Sequence, residues 1–236
     1  MMNTSFSQAI TSKIRAVLSG GKKIPPEASL FAINWFDTRF APLYHLYNVL
    51  AAPRVFRIGG KAFFKAEVTE QISGDPTLAR RFLLIVNYPS AGAFLNLLRD
   101  PIFQIISLLR TSSVKNFSFC LNLRLEGDQQ LKPRDPEKKP SKHTALLHFH
   151  GNIPANLQSL IQDHCLTLYF SSRKALALSI ESSGKEPEHV PAITDHVLLI
   201  EADEKTHLDA FFMDPKFIEL SLNWEKFFSA HLRRIL

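Results

Sequence analysis

The sequence predicts an α+β fold in which two similar units, each with the order β-α-β-β-α-β, pack together within one chain. Three observations predict this fold. A helical motif containing Asp-Pro occurs twice, apolar residues alternate along several segments, and the strand and helix patterns recur in the same order in both halves of the 236 residues. Alternation with a period of two is typical of a strand with one buried face.

The repeat is clearest around the Asp-Pro motif. The stretch FLNLLRDPIFQIISLL (94–109) has a near copy in FFMDPKFIELSL (211–222). Superposing Asp100 on Asp214 gives an offset of 114 residues and places Phe103 on Phe217. An even offset keeps every strand side chain on its own face of a sheet. We therefore expect an internal duplication whose halves align without a gap.

Each half begins with a strand followed by a helix. The first strand is predicted at Leu30 to Phe36 and again at Thr144 to His150. The helix that follows is predicted over about Arg39 to Ala51 in the first half and Ala155 to His164 in the second.

Three further strands and a broken helix complete each half. The long second strand alternates from Phe56 onward, with a kink or bulge expected at Gly59-Gly60, and from Leu166 in the second half. The third strand runs through RFLLIVNY or HVLLIEA, and its apolar centre predicts cover on both faces. The last strand is FSFCLNLRL in the first half and AHLRRIL in the second.

The Asp-Pro motif predicts a helix that stops and restarts. Asp is a favoured N-cap, and Pro fits the first helical position, so Asp100 and Asp214 should each begin a new helical segment. Phe103 and Phe217 should then point inward. The resulting β-α-β-β-α-β order is the ferredoxin-like unit, and two such units can pack sheet against sheet. The motif is thus interpreted as structural.

The expected domain organisation has four parts. A basic helical segment covers residues 1–26, a first ferredoxin-like repeat 27–125, a polar linker 126–142, and a diverged second repeat 143–236. The N-terminal segment has an apolar stripe and no acidic residue before Glu27. It is interpreted as a helix docked on the domain, with a targeting or membrane-surface role as the alternative.

Composition excludes several classes of function. The net charge of +6 is spread along the chain rather than clustered, which argues against a nucleic-acid-binding protein. No apolar run approaches the roughly 18 residues of a membrane-spanning helix. Cys120 and Cys165 show no metal-ligand spacing and are expected to be small buried thiols. A reducing, cytoplasmic location is therefore expected.

Two stretches of the first half, RIGGKAFFKAEVTEQISGDP and RFLLIVNYPSAGAFLNLLRDPIFQIISLLRTSSVKNFSF, resemble the family called domain of unknown function 1330. The resemblance covers roughly Ser29 to Leu125 and includes the glycine pair, the YPS entry to the second helix and Arg110. It implies a dimeric α+β barrel, here formed by two halves of one chain. In the second half only the MDPKF break and the strand pattern persist. The family implies no reaction, and its wider superfamily includes monooxygenases, isomerases and haem-binding dismutases.

The candidate catalytic residues are His148 and His150, which lie two apart on a predicted strand and so share a face. Two imidazoles could act as acid and base, or bind a metal if a third group such as His164 or Arg57 converged. The alternative is that they are structural histidines. Their counterparts at the 114-residue offset are Asn34 and Phe36, so Asn34 joins the candidate ligand-binding residues.

The candidate anion-binding residues are Arg57, Lys61 and Lys65, which would line one face of the second strand. The alternative is a solvated row that discourages strand pairing. No metal-ligand, nucleotide or nucleophile motif occurs, so no metal is expected and no cofactor can be named.

The favoured function is binding of a small ligand or of a protein by a monomer with internal pseudo-two-fold symmetry. One alternative is a cofactor-independent monooxygenase or isomerase acting on a small aromatic or lactone-like compound. Haem or metal binding is a second alternative.

Overall fold

The computed structural model describes residues 24–124, 141–179 and 193–236. Nearly all of the predicted N-terminal segment (1–26) and of the linker (126–142) lies outside the described residues. The first half comprises β1 (Leu30–Thr38), α1 (Ala41–Arg57), β2 (Lys61–Gly74), a 3₁₀ turn (Pro76–Leu78), β3 (Phe82–Tyr88), α2 (Ala91–Arg99), α3 (Pro101–Ser113) and β4 (Val114–Arg124). The second half comprises β5 (His143–Phe149), α4 (Leu157–Asp163), β6 (Thr167–Ser179), β7 (His196–Ala202), α5 (Lys205–Met213), α6 (Pro215–Ser221) and β8 (Phe227–Arg234).

The eight strands form one closed antiparallel barrel, so the predicted mixed α+β class is confirmed. Around the barrel the strands follow the order β1-β3-β2-β8-β5-β7-β6-β4. Each half therefore contributes its strands in the order fourth, first, third, second. The two sets join edge to edge through β2–β8 and β4–β6, rather than only packing face to face as expected. Closure leaves no open sheet edge to pair with another chain.

Three apolar clusters hold the molecule together. The cluster inside the barrel draws on both halves and includes Ile33, Phe64, Phe170 and Phe228. The other two lie outside the barrel, each between the sheet of one half and that half's helices. Strand β7 is buried on both faces, as expected from its continuous apolar centre, whereas alternate side chains of β3 are only partly buried.

The Asp-Pro breaks form as predicted. The Asp100 carboxylate accepts hydrogen bonds from the backbone N–H groups of Ile102, at 2.9 Å, and Phe103. Asp214 accepts one from Lys216 at 2.7 Å. Helices α2 and α3 meet at an angle of 84°. Both Phe103 and its counterpart in α6 are buried, so each break turns an aromatic side chain into the core.

The pair Gly59-Gly60 ends helix α1 rather than kinking a strand. The prediction that the second strand starts at Phe56 is therefore wrong, because β2 begins at Lys61. Gly59, with a φ of +78°, donates to the carbonyl of Phe56, and Gly60 donates to that of Val55. This pair of hydrogen bonds is the Schellman C-cap. Glycine suits a helix C-cap and a strand bulge for the same steric reason, so composition could not separate them. Helix α1 therefore runs six residues beyond Ala51 and includes Arg57.

The same cap occurs in the second half without glycine. Cys165, with a φ of +57°, donates to Gln162, and Leu166 donates to Ile161. Cys165 is exposed, which corrects the expectation of two buried thiols, whereas Cys120 is buried as expected. The left-handed turn places the residue outside the helix, so apolar neighbours in the sequence did not indicate burial.

The expected repeat without gaps is wrong for the first strands. Asn34 pairs with Leu84 across β1 and β3, and Leu147 pairs with Leu198 across β5 and β7. The numbers of Asn34 and Leu147 differ by 113, whereas those of Leu84 and Leu198 differ by 114. The predicted offset of 114 therefore holds for the third strands and for the Asp-Pro motifs. Applied to the first strands, it would assign each side chain to the wrong face of the sheet.

The second strands differ by still another offset. Lys65 pairs with Leu84, and Ser171 pairs with Leu198, so these strands are 106 residues apart. Helix α4 is shorter than α1, and this accounts for the difference. Relative to the first strand, α4 begins later than α1 does, whereas both helices end at the same kind of C-cap. Side chains on the same face of the two sheets can therefore be matched from the pairing register, although not from a constant offset.

Among the described residues, no single helix has the length and hydropathy needed to cross a membrane. One bent pair, α2 with α3, meets those two criteria when taken together.

Candidate ligand-binding site

A cavity of about 400 Å³ lies between the outer face of the first-half sheet and the three helices of that half. This volume is at the lower end of the range typical of small-molecule sites, about 300–1,000 Å³. The walls are mostly apolar, with a small number of polar groups. The cavity is therefore of the size and character to hold one small organic molecule.

Two rows of side chains across neighbouring strands form the floor. In one row Phe119, Asn34, Leu84 and Lys65 follow each other across β4, β1, β3 and β2. The neighbouring row contains Ala32, Val86 and Ala62. A bulge in β2 between residues 62 and 64 brings Ala62 onto this face, whereas Phe64 points into the barrel. The two alanines leave the space that larger side chains would occupy.

The roof is formed by helix faces with helical spacing. Helix α1 contributes Asn48, Ala51, Ala52 and Val55, which lie three or four positions apart on one face. The small side chains of Ala51 and Ala52 leave the space between α1 and the floor unfilled. The strand-like alternation of apolar residues expected from Phe56 onward does not predict this face, because residues on one face of a helix recur every 3.6 positions rather than every two.

The other two helices close the remaining side. Helix α2 contributes Phe94 and Leu98, and α3 contributes Gln104, Ser107 and Arg110. The polar side chains of Gln104 and Ser107 donate to the carbonyls of Leu98 and Phe103. Arg110, in the last turn of α3, is the charged group on this wall.

Asn34 presents an acceptor to the cavity. Both N–H groups of its side chain donate at 3.1 Å, one to the carbonyl of Ala32 and the other to that of Leu84. These two bonds fix the amide plane, and they leave Oδ1 without a hydrogen-bond partner among the described residues. An acceptor oriented in this way by the strand can select a ligand that carries a hydroxyl or amine.

Two cationic side chains line the cavity, Lys65 on the floor and Arg110 on the helical wall. The Lys65 ammonium lies 5.7 Å from the centre of the Tyr44 ring, and the Arg110 guanidinium lies 5.8 Å from that of Tyr47. The two tyrosine rings are 5.9 Å apart. Within the described part of the chain, neither Lys65 nor Arg110 forms an ion pair with a carboxylate. Burial lowers the pKa of Lys65, since an ammonium loses hydration there.

Nearby phenol groups stay protonated at neutral pH. Burial raises the pKa of Tyr44 and of Tyr88, and repulsion from Tyr47 adds to the effect in both cases. The Arg110 charge opposes the increase at both tyrosines. Because Arg110 affects the pKa of both tyrosines, both phenols lie within the electrostatic range of its guanidinium. Their neutral hydroxyls are available as hydrogen-bond donors.

The candidate residues from the sequence are not brought together. Asn34 lines the cavity, but Arg57 lies exposed at the end of α1, and Lys61 lies exposed at the start of β2. The expected row of Arg57, Lys61 and Lys65 on one strand face does not form, because Arg57 belongs to the helix. His148 points into the barrel, and His150 follows the end of β5.

His148 is fully buried between aromatic side chains. Its ring centre lies 5.3 Å from those of Trp35 and Phe228, and its Nδ1 lies 3.2 Å from the Thr194 hydroxyl. Nε2 has no hydrogen-bond partner within the described residues. Burial, assisted by the Arg80 and His150 charges, lowers the pKa of His148 to about 3. The imidazole is therefore neutral at pH 7 and lies outside the cavity.

His150 belongs to an ion cluster near the end of the barrel. Its Nδ1 lies 3.0 Å from the Asp195 carboxylate, which also binds the Lys174 ammonium at 2.6 Å. Burial alone would raise the pKa of Asp195, but hydrogen bonds from Lys174 and His150 lower it to about 2. Elsewhere, the described residues contain no group of three or more His, Cys, Asp or Glu side chains that could hold a metal ion.

Sequence reasoning missed the helical wall of the cavity. Arg110 was noted as part of a family resemblance, and Tyr44 and Tyr47 were not considered. One available signal was the complete lack of acidic residues in α1, α2 and α3, so these helices bring no carboxylate side chain to the cavity cations. A second was the pair Ala51-Ala52 at the buried face of a helix otherwise rich in large side chains.

The fold and the cavity together define an α+β barrel protein with a ligand-sized site under the helices of one half. Neither protein-family models nor curated proteins match the sequence. Among solved structures, a protein of unknown function from Rhodopseudomonas palustris is 21% identical over 52% of this chain and 95% of its own, with a TM-score of 0.43.

Two longer similarities are also found. A variant of chlorite dismutase from Candidatus Nitrospira defluvii is 7% identical over 91% of this chain and 95% of its own, with a TM-score of 0.47. A heme-binding protein from Thermus thermophilus is 11% identical over 88% of this chain and 94% of its own, with a TM-score of 0.38. No ligand or reaction of this chain follows from these values.

Proposed function

We propose that this chain is a small-molecule-binding protein whose ligand occupies the first-half cavity. We further propose that the two halves are duplicated ferredoxin-like units (27–125 and 143–236) of the dimeric α+β barrel type, related to the domain of unknown function 1330. The common strand order of the halves supports the duplication. The monomeric state remains a prediction, supported by a barrel that closes within one chain.

The observation that carries the binding proposal is the difference between the two halves. On the sheet, the positions of Asn34 and Ala62 are taken in the second half by Leu147 and Leu168. Both leucines are buried in the cluster under the second-half helices. A polar and a small side chain in one half are thus replaced by large apolar ones in the other, and the space is filled.

The helices show the same replacement. At the 114-residue offset of the Asp-Pro motifs, Phe212 occupies the place of Leu98. Trp224 lies in the turn after α6, which ends at Ser221. Trp224 stacks on Phe149 with ring centres 4.0 Å apart. Protein interiors are normally packed without voids of this size, so an open cavity under the first-half helices supports a function in that half.

The chemistry of the walls supports binding over acid–base catalysis. The described residues that line the cavity include no Asp, Glu or Cys, and their one histidine, His45, lies exposed at its rim. The proposed catalytic pair, His148 and His150, lies elsewhere. A general acid or base must reach the substrate directly or through one water, and neither of the two proposed catalytic histidines does so here.

The test is to fill the cavity with the side chains of the second half. The variant Ala51→Leu/Leu98→Phe copies Leu157 and Phe212, whose positions follow from the two C-caps and the Asp-Pro motifs. The probe is N-phenyl-1-naphthylamine, an uncharged fluorophore that brightens in apolar sites. We expect the filled variant to bind it at least about tenfold more weakly, because the added carbons occupy its space.

The matched control is Ala41→Leu, which adds the same side chain at an exposed position of α1. It should bind the probe like the unmodified protein. Circular dichroism melts verify that each variant is folded, and the two single substitutions are measured separately in case the double variant is not. Unchanged affinity in the filled variants, or no binding by the unmodified protein, would contradict the proposal.

A further inference from the structure

Resting on the proposed function, we infer that the ligand is an amphipathic organic anion: its anionic group binds Lys65 and Arg110, and its apolar body lies between the sheet and α2. The chemical class is a small carboxylic acid, or a similar monoanion, with an aromatic or aliphatic body. The inference rests on the charge balance of the cavity, the positions of its two cations and the apolar remainder of its walls.

Among the described residues, no side-chain carboxylate lines the cavity. A main-chain oxygen of Leu236, which does line it, accepts from the Lys65 backbone N–H and from Arg234. Helices α1, α2 and α3 contain no Asp or Glu. Asp100, at the junction of α2 and α3, is already paired with Arg54 at 2.5 Å. On the floor strand, Glu67 binds Arg81 and Arg233. Partly buried cations are normally paired, because they lose hydration without gaining a partner.

The two cations lie on either side of one tyrosine pair. Lys65 contacts Tyr44, Arg110 contacts Tyr47, and these rings pack against each other. Arg110 is held further by Phe117, with its guanidinium 4.7 Å from the ring centre. The aromatic contacts orient the guanidinium by cation–π attraction, but they do not neutralise its positive charge. A guanidinium held in this way can bind a carboxylate through two parallel hydrogen bonds.

The rest of the cavity suits an apolar body. Val86 on the floor, Val55 on α1 and both Phe94 and Leu98 on α2 line it. Phe94 packs against the Tyr88 ring, with centres 4.9 Å apart. The cavity is therefore cationic near α3 and apolar near α2. An inorganic anion would leave the apolar part unfilled, and a neutral hydrocarbon would leave the two cations unpaired.

The experiment compares two probes with the same ring body. 8-Anilino-1-naphthalenesulfonate is N-phenyl-1-naphthylamine with one added sulfonate, so the ratio of their dissociation constants isolates the anionic group. We expect the anionic probe to bind at least about tenfold more tightly, as is typical of charge-assisted hydrogen bonds in a partly buried site. Decanoate should displace it more effectively than decanol does.

Two charge-removing variants locate the anionic group. Arg110→Met and Lys65→Met keep most of the apolar stem of each side chain, and each should lower the affinity ratio about tenfold. The control is Arg99→Met, because Arg99 is exposed on α2 and its side chain binds only Asn96 among the described residues. The control should keep the ratio. If Arg110→Met does not fold, Arg110→Lys tests the same position, and a partial loss of the ratio is expected.

The outcomes separate this inference from the proposed function. Binding of the neutral probe in the cavity with no preference for the anionic one would overturn the anion assignment and leave the binding function intact. A preference that survives both charge-removing variants would also overturn it, because the anion would then bind elsewhere. Failure of both probes to bind would contradict the proposed function itself.

Discussion

Two polar side chains on first strands, Asn34 and His148, have opposite environments. Asn34 faces the helices and lines the cavity, whereas His148 faces the interior of the barrel. The counterpart of Asn34 is Leu147, because the first strands differ by an odd number of residues. A shift of one residue exchanges the two faces of a strand, and this shift separates a ligand-facing group from a structural one.

Buried His148 should make stability depend on pH. Its pKa is about 3 in the folded protein and about 6.5 when unfolded, so the unfolded state binds more protons between these values. Its contribution is therefore fully present above pH 6.5 and is lost as the pH falls toward 3. The loss should approach about 1.4 kcal/mol for each pH unit within this window.

The measurement is urea unfolding from pH 4 to pH 7 for the unmodified protein and for His148→Phe. The variant lacks the titrating group, so its free energy of unfolding should fall less steeply as the pH is lowered. His207→Gln, at an exposed position of α5, serves as the control and should follow the unmodified protein. Equal slopes for all three proteins would show that His148 is not held neutral by burial.

At the scale of elements, the ends of strands and helices decide how the halves join. Strand β2 ends at Gly74, which pairs with Phe228 of β8 and so belongs to the junction between the halves. Gly74 has a φ of +96°, and a Cβ placed there would lie 2.2 Å from the carbonyl oxygen of Phe227. Both the backbone conformation and the contact therefore require glycine.

Replacing Gly74 by Ala should destabilise the protein by about 2–4 kcal/mol, because it combines a strained φ with a backbone clash. The matched control is Gly92→Ala in α2, where the added Cβ would meet only Pro26 O at 3.4 Å and Ser90 Oγ at 3.8 Å. That change should stay within about 1 kcal/mol, since Ala favours the helix. Urea unfolding compares the two, and equal effects would show that the β2–β8 junction tolerates a side chain at position 74.

At the scale of the whole molecule, the closed barrel couples the two halves. The cluster inside it includes Trp35 and Phe64 from the first half and Leu146 and Phe170 from the second. Separation of the halves would expose this cluster and open the β2–β8 and β4–β6 pairs. We therefore expect one cooperative unfolding transition, although the chain contains two similar units.

The two tryptophans of the chain, Trp35 and Trp224, test this cooperativity, because each lies in a different half. In the variant Trp224→Phe the remaining Trp35 reports on the barrel interior. In Trp35→Phe the remaining Trp224 reports on the cluster under the second-half helices. Each fluorescence transition in urea should coincide with far-UV circular dichroism of the same variant. A fluorescence change that clearly precedes the loss of secondary structure would indicate that one half unfolds separately.

The sequence alone determined the α+β class, most strands, and both Asp-Pro breaks with their inward Phe103 and Phe217. These features depend on local physics: alternation, N-capping and the fixed φ of proline act within a few residues. The end of α1 was misjudged because Gly59-Gly60 satisfies a helix cap and a strand bulge equally well. The repeat was visible, but the different offsets of its strands were not, since loop and helix lengths vary while strand register is fixed by pairing.

The tertiary structure decided the site. Lys65 and Arg110 are 45 residues apart in the sequence, and only the packing of α3 over the sheet brings both beside the Tyr44–Tyr47 pair. No local pattern records that approach, because it depends on the bulge in β2 and on the packing of α1 and α3 over the sheet. The sequence determined the fold class, and long-range packing decided which half kept an open, cationic cavity.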